Sequence, residues 1–167
     1  MGHDHTHLEI RCGGGMSVLA TMRQAVAAWR PAETITNGVT DRVEPKRVLV
    51  VNDDQNVLDV AERLLSGDGH VPVLTGAPQS ALQIARSLRP AAIFLDVLMP
   101  GFDGWDLLAA LKSDPETSSI PVMMICMLGE RRKALEAGAD GVIAKPLDAD
   151  SMRVAMARIS LDQSSSK

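Results

Sequence analysis

The chain has 167 residues, which is the size of one domain with about 40 residues to spare. Aromatic residues make up only 2% of it and Tyr is absent, so it lacks the stacked aromatic side chains with which proteins hold single-stranded nucleic acids. The formal net charge of −4 argues against a phosphate-backbone binder, which needs a basic face. No apolar run approaches the roughly 20 residues that cross a bilayer, and the two cysteines form no metal-binding pair. We therefore predict a cytoplasmic protein that binds neither nucleic acid nor membrane.

Residues 1–45 lack a regular alternation of strands and helices, and we interpret them as an irregular extension and linker. Apolar residues at helical spacing predict one short helix over 16–29, which Pro31 ends. The opening HDHTH places three His at alternate positions, a pattern that suits a transition metal. We favour a disordered tail, an expression-tag remnant ending at residue 15 or a start codon assigned too early.

From Lys46 onward, five short apolar segments alternate with five amphipathic ones. The predicted strands cover 47–51, 70–75, 91–96, 120–126 and 141–145, and the predicted helices cover 54–69, 78–88, 104–114, 130–138 and 148–161. This alternation is typical of βαβ units, in which helices cover both faces of a parallel sheet. We therefore predict one doubly wound α/β domain over 46–161 and a disordered tail over 162–167. Its functional site is expected at the carboxyl ends of the strands.

Charged side chains follow three of the predicted strands. Asp53 follows the first strand, Asp96 ends the third and Lys145 ends the fifth, so all three are expected at one rim of the sheet. Bringing Asp53 close to Asp96 costs free energy through like-charge repulsion. Mg²⁺, which prefers oxygen ligands, would offset that cost. Because such sites usually add a phosphate, Lys145 is expected to supply positive charge to it.

Residues 46–161 resemble the receiver domain of response regulators in two-component signalling. The resemblance rests on VLVVNDD, IFLDVLMPGFDGWDLL, IPVMMIC and EAGADGVIAKPLD, which occur in this order at the predicted strand ends. It implies a flavodoxin-like sheet of five parallel strands in the order 2-1-3-4-5, flanked by five helices. It also implies a signalling module rather than an enzyme, with only self-catalysed phosphoryl acceptance and hydrolysis.

The resemblance assigns roles to four site residues. Asp96 matches the phosphoacceptor, which attacks a phosphohistidine or a small acyl phosphate and becomes an aspartyl phosphate. Asp53 would bind Mg²⁺ directly, with Asp96 and the backbone carbonyl of Leu98 as further ligands. Lys145 would stabilise the charge on the phosphoryl oxygens.

Asn52 stands at a position that is usually acidic in this family. It would hold Mg²⁺ through a water molecule but supplies one negative charge fewer, which predicts weaker metal binding. A register shifted by one residue, with Asp53 and Asp54 as the acidic pair, is the alternative. The preceding VLVV run and the apolar residues that follow favour the first register.

Four further positions match the family's structural residues. Pro146 matches a cis proline that aims the preceding lysine inward. Pro100 shapes the loop after Asp96 together with Gly101, and Gly104 opens the third helix.

Three other positions depart from the family pattern. Cys126 stands where Ser or Thr is usual, and a thiol is a weaker hydrogen-bond donor. Met127 replaces a small residue and is expected to narrow access to Asp96. Val142 replaces the Tyr or Phe that rotates on activation. We therefore expect Asp96 to accept phosphate, with a weakened or rewired response at the fourth helix and fifth strand. A redox role for Cys126 is the alternative to an ordinary strand-end cysteine, which we favour.

The leading hypothesis is a phosphoacceptor receiver that takes its phosphoryl group from a histidine kinase or a phosphotransfer protein. It would signal by binding an unidentified protein target, as a monomer or weak dimer. Because residues 1–45 and 162–167 hold no recognisable output domain, we expect a stand-alone receiver or a fragment of a larger protein. The alternative is a pseudo-receiver that binds partners without phosphorylation. A phosphatase of the haloacid-dehalogenase type is set aside, since it needs a second Asp where Leu98 stands.

Overall fold

The computed structural model describes residues 11–12 and 45–164, with side chains described over 45–159. The predicted helix over 16–29 and the His-rich opening lie outside these residues.

The described residues form eight strands and five helices. The strands are β1 (Arg11–Cys12), β2 (Arg47–Val51), β3 (Val71–Thr75), β4 (Ala92–Asp96), β5 (Leu98–Met99), β6 (Phe102–Asp103), β7 (Val122–Cys126) and β8 (Gly141–Ala144). The helices are α1 (Gln55–Gly67), α2 (Ala81–Leu88), α3 (Gly104–Ser113), α4 (Arg131–Glu136) and α5 (Ala149–Ser164). Single 3₁₀ turns, Pro78–Ser80 and Leu128–Glu130, lead into α2 and α4. None of these helices is long and apolar enough to cross a membrane.

The main sheet has the order β1-β3-β2-β4-β7-β8. The five long strands, β3-β2-β4-β7-β8, are all parallel to their neighbours. This confirms the predicted doubly wound sheet and its order 2-1-3-4-5. The short β1 was not predicted: it pairs antiparallel with β3 and adds a sixth strand at that edge. Helix α5 also continues to Ser164, past its predicted end at residue 161.

Side chains from the sheet pack into two hydrophobic layers, one on each face. Along β2, Val48 and Val50 lie in one layer while Leu49 and Val51 lie in the other. Helices α1 and α5 cover the first layer, and α2, α3 and α4 cover the second. Burial on both faces explains why the strands read as unbroken apolar runs rather than alternating ones.

Turn and helix-cap residues fix the conformation of the loops at the carboxyl ends of the strands. Pro100 and Gly101 form the turn between β5 and β6, where the φ of +72° at Gly101 is a conformation that glycine adopts without strain. Asp54 caps α1 by accepting a hydrogen bond from the Asn56 amide at 2.9 Å. Asp103 caps α3 in the same way, through the Trp105 amide at 2.8 Å.

Candidate functional site

Asp96 lies at the end of β4 and is 2% exposed. Its carboxylate accepts two hydrogen bonds, from Asn52 and Leu98, and forms an ion pair with Lys145. Its Oδ2 is 2.9 Å from Lys145 Nζ and 2.7 Å from Asn52 Nδ2. Its Oδ1 accepts the backbone N–H of Leu98 at 2.9 Å. The sequence placed these side chains at one rim of the sheet, and the structure brings them into direct contact.

Asn52 is fully buried, and both the nitrogen and the oxygen of its side-chain amide form hydrogen bonds. Its Nδ2 donates to Asp96, and its Oδ1 accepts the backbone N–H of Asp54 at 2.8 Å. Its own backbone N–H donates to the carbonyl of Thr75 on the neighbouring strand at 3.2 Å. Asn52 is therefore a bridge between the Asp96 carboxylate and the first turn of α1.

The two acidic residues after Asn52 do different things. Asp53 is exposed, so its carboxylate is accessible to solvent and to a metal ion. The Asp54 carboxylate caps α1. This arrangement favours the register in which Asn52 and Asp53, rather than Asp53 and Asp54, stand at the acidic-pair positions.

The donor set suits a hard divalent cation but carries little charge. Asp53, Asp96 and the carbonyl of Leu98 offer only oxygen atoms, which Mg²⁺ prefers. Among the described residues, no three Asp, Glu, His or Cys side chains cluster closely enough to form a metal cage. The groups that could hold such an ion are two carboxylates and one carbonyl, so the ion would keep several waters.

Lys145 reaches Asp96 from the end of β8. The peptide bond between Lys145 and Pro146 is cis, as predicted from the sequence. The Lys145 backbone N–H donates to the Cys126 carbonyl at 3.0 Å. The Lys145 side chain is 29% exposed, so its ammonium contacts Asp96 while remaining open to a group that arrives from solvent.

Cys126 ends β7 and is 1% exposed, within the hydrophobic layer on the α3 and α4 face. Burial raises the pKa of the thiol, the carboxylates of Glu130 and Asp96 raise it further, and Lys145 opposes them. Since the thiolate is the reactive form, a thiol with a raised pKa favours the ordinary strand-end cysteine over a redox sensor.

Three exposed apolar side chains belong to residues that follow the ends of β4 and β7. Leu98 is 62% exposed, Met127 is 56% exposed and Leu128 is 72% exposed. Val142 is half-buried and packs against the same hydrophobic layer as Cys126. Exposed apolar side chains therefore follow the ends of β4 and β7, the strands that end in Asp96 and Cys126.

Two contacts near the site were missed at the sequence level. Glu130 accepts the backbone N–H of Met127 at 3.3 Å, and Lys133 Nζ lies 4.2 Å from the centre of the Trp105 ring. The first is a local turn contact between residues three apart, which the sequence signals weakly. The second joins α4 to α3, and no sequence spacing encodes it because the two residues lie on separate helices.

Comparisons with known proteins agree with this geometry. Residues 48–157 match the response regulator receiver domain family. The response regulator PleD of Caulobacter vibrioides is 40% identical over 106 residues, which cover 61% of this chain and 23% of PleD. The DNA-binding response regulator MtrA of Mycobacterium tuberculosis is 34% identical over 104 residues, covering 60% of this chain and 44% of MtrA. This chain thus spans less than half the length of these relatives.

A crystal structure of a response regulator from Chloroflexus aurantiacus superposes with a TM-score of 0.65 at 28% identity. The match covers 70% of this chain and 99% of that one. The similarity therefore extends over a whole receiver domain.

Proposed function

This chain belongs to the response regulator receiver family, and we propose that Asp96 accepts a phosphoryl group from a histidine kinase or a phosphotransfer protein. One observation carries the proposal: the Asp96 carboxylate is buried to 2% exposure, yet one of its oxygens contacts the partly exposed ammonium of Lys145 at 2.9 Å. The exposed part of the Lys145 ammonium could therefore bind an incoming phosphoryl group while it stays beside Asp96.

In the proposed reaction, a carboxylate oxygen of Asp96 forms a bond to phosphorus. The bond from phosphorus to the donor breaks, and its electron pair stays on the histidine nitrogen or the acyl oxygen of the donor. Lys145, which contacts Asp96 at 2.9 Å, would bind the phosphoryl oxygens as charge develops on them. The backbone N–H of Leu98 and the Asn52 amide hold the carboxylate in place meanwhile.

Asp53, Asp96 and the carbonyl of Leu98 are the groups that would hold Mg²⁺. When bound, the ion would neutralise charge on the incoming phosphoryl group. Asp53 is suited to the role because its carboxylate is exposed and follows the strand that pairs with β4.

The test is phosphorylation of the purified chain by acetyl phosphate, with MgCl₂ or with EDTA, followed by intact-mass measurement. We expect the mass of one phosphoryl group to be added to the wild type with Mg²⁺ and not to Asp96→Asn. Asp106→Asn is the matched control, because Asp106 is an exposed residue of α3 and its loss removes the same charge. Phosphorylation of Asp96→Asn at the wild-type level would exclude Asp96 as the acceptor.

A pseudo-receiver is the second candidate, and two observations favour it. Both oxygens of the Asp96 carboxylate contact donors of the protein itself, from Asn52, Lys145 and Leu98. Cys126 is buried and offers no hydroxyl to such a group. The same experiment decides, since a pseudo-receiver would remain unmodified at every Mg²⁺ concentration.

The partners of this chain follow from the proposed chemistry. A histidine phosphodonor protein is expected upstream and a protein target downstream. DNA binding belongs to MtrA by name, and the predicted absence of nucleic-acid binding by this chain stays a prediction. Its cytoplasmic location and its monomeric or weakly dimeric state stay predictions too.

A further inference from the structure

We propose that Asn52 is a positioning residue that holds Asp96 by hydrogen-bond donation, so that the resting site stays assembled without a cation and binds Mg²⁺ weakly. The inference deepens the proposed function, because it concerns the positioning of the proposed phosphoacceptor. It rests on the two hydrogen bonds of the Asn52 amide and on the charge balance around Asp96.

The orientation of the Asn52 amide is fixed by its surroundings. Its Oδ1 accepts the Asp54 backbone N–H at 2.8 Å, and its Nδ2 donates to Asp96 Oδ2 at 2.7 Å. A flipped amide would place its oxygen against the Asp96 carboxylate and its NH₂ against the Asp54 N–H. Both contacts would become repulsive, and Asn52 is fully buried, so water would not compensate for them.

This orientation makes Asn52 a donor to Asp96 in the place where the family usually has an acid. The single negative charge of Asp96 is met by Lys145 and by the amide on one oxygen, and by the Leu98 N–H on the other. An aspartate at position 52 would replace the donor with a second carboxylate at the same contact. The two like charges would repel unless a cation stood between them.

Two consequences follow for a divalent cation. The wild-type site gains less stability from Mg²⁺ than a site with an acid at position 52 would, because it lacks the repulsion between that acid and Asp96. A cation approaching Asp96 Oδ2 also has to displace the Asn52 N–H, which costs a satisfied buried hydrogen bond. Only the exposed Asp53 adds negative charge on this side.

The main test compares the wild type with Asn52→Asp and uses no phosphoryl donor. Mg²⁺ affinity is measured by calorimetric titration with MgCl₂, and urea unfolding is followed in EDTA and in MgCl₂. We expect Asn52→Asp to bind Mg²⁺ at least about tenfold more tightly, since it restores the missing charge. Its unfolding midpoint should be lower than the wild type's in EDTA and should recover with Mg²⁺. The wild-type midpoint should change little.

Asn56→Asp is the matched control. Asn56 is exposed in the first turn of α1, so this variant adds the same charge nearby without touching Asp96. It should bind Mg²⁺ as the wild type does. Equal gains in Mg²⁺ affinity for Asn56→Asp and Asn52→Asp would show that any added negative charge near the site strengthens Mg²⁺ binding. That result would overturn the proposal.

Asn52→Ala keeps the proposal testable if Asn52→Asp does not fold. It removes the donor that competes with the cation and adds no charge, so Mg²⁺ affinity should rise about fivefold, the equivalent of one net hydrogen bond. A merely structural Asn52 predicts the opposite pattern, in which both variants lose equal stability in EDTA and in MgCl₂ and keep wild-type Mg²⁺ affinity. That pattern would overturn the proposal.

Failure of this inference and failure of the proposed function are distinguishable. Metal affinity and metal-dependent unfolding are measured without phosphorylation. A chain that never accepts phosphate but gains Mg²⁺ affinity in Asn52→Asp would refute the acceptor role alone. A chain that is phosphorylated on Asp96 but shows unchanged Mg²⁺ affinity in both Asn52 variants would refute the positioning role alone.

Discussion

His70 shows how one side chain carries a pH response that the site chemistry does not use. Its Nδ1 is buried without a hydrogen-bond partner among the described residues. Burial lowers the pKa of the imidazole from 6.5 and Lys46 lowers it further, while Asp68 opposes both. The folded protein therefore favours the neutral ring, because burial leaves the protonated ring incompletely solvated and the nearby Asp68 offsets this only in part.

We predict that this histidine destabilises the fold as the medium becomes acidic. A base with a lowered pKa in the folded state binds more protons when unfolded. The contribution of the neutral His70 ring to stability is therefore complete above pH 6.5, and it is lost as the pH falls through the folded-state pKa. The urea midpoint of the wild type should fall more than that of His70→Gln between about pH 7 and about pH 5.

Asp148 does not disturb this comparison. Asp148 has its pKa lowered from 3.8 by hydrogen bonds from Ser151, so its stabilising effect is lost only in more acidic solution and equally in both proteins. Parallel pH profiles for the wild type and His70→Gln would show that His70 is not responsible.

At the scale of elements, the start of α3 is set by how closely it approaches the end of β4. A Cβ on Gly104 would collide with the Asp96 carbonyl oxygen and lie 2.9 Å from Val97 Cα. The Gly104 N–H also donates to the Val97 carbonyl at 3.3 Å. The helix and the site strand therefore meet backbone to backbone, and a side chain would push them apart.

We predict that Gly104→Ala destabilises the fold by about 1–3 kcal/mol, as overpacking typically does, and lowers the rate of Asp96 phosphorylation. The control is Gly67→Ala at the end of α1, where no atom lies within 4 Å of the added Cβ. That variant should be neutral or slightly stabilising. Chemical denaturation and the acetyl phosphate assay measure both effects. Equal stabilities for the two variants would contradict the packing argument.

The long elements were predictable because hydrophobic periodicity encodes them. RVLVV reads as a buried strand and occurs as β2 at its predicted residues. The two-residue strands were missed, since β5 and β6 are too short to show a period. Strand β1 depends on its pairing with Val73 and Leu74, and nothing in its own two residues specifies that partner. Elements with a periodic pattern of their own were thus predictable, whereas short strands that are defined by pairing with a distant partner were not.

The candidate site was predictable for a different reason. Parallel strands bring their carboxyl ends to one rim, so the contact between Asp96 and Lys145 follows from topology and motif together. The orientation of the Asn52 amide was not predictable. It depends on hydrogen bonds to the Asp54 N–H at 2.8 Å and to the Asp96 oxygen at 2.7 Å. The sequence does not specify these distances.

At the scale of the whole molecule, two residues between the site and the surface of α4 and β8 differ from those that usually move on activation in this family. Cys126 is buried in a hydrophobic layer, and Val142 packs against the same layer. Val142 has no ring to rotate between exposed and buried positions. Lys133 of α4 stacks on Trp105 of α3 at 4.2 Å, which adds a contact that opposes displacement of α4.

We therefore predict that a phosphoryl mimic perturbs the site more than the distant surface. Beryllofluoride and MgCl₂ should shift the backbone amide NMR signals of residues 52–54, 96–98 and 145, which surround the Asp96 carboxylate. Shifts over 131–144 should be clearly smaller, because neither a hydroxyl at position 126 nor an aromatic ring at position 142 transmits the change. Asp96→Asn under the same conditions supplies the baseline for non-specific effects. Shifts over 131–144 as large as those at 96–98 would contradict this prediction and show that the response reaches α4 and β8 by another route. The contact between Lys133 and Trp105 would then be the first one to remove by mutation.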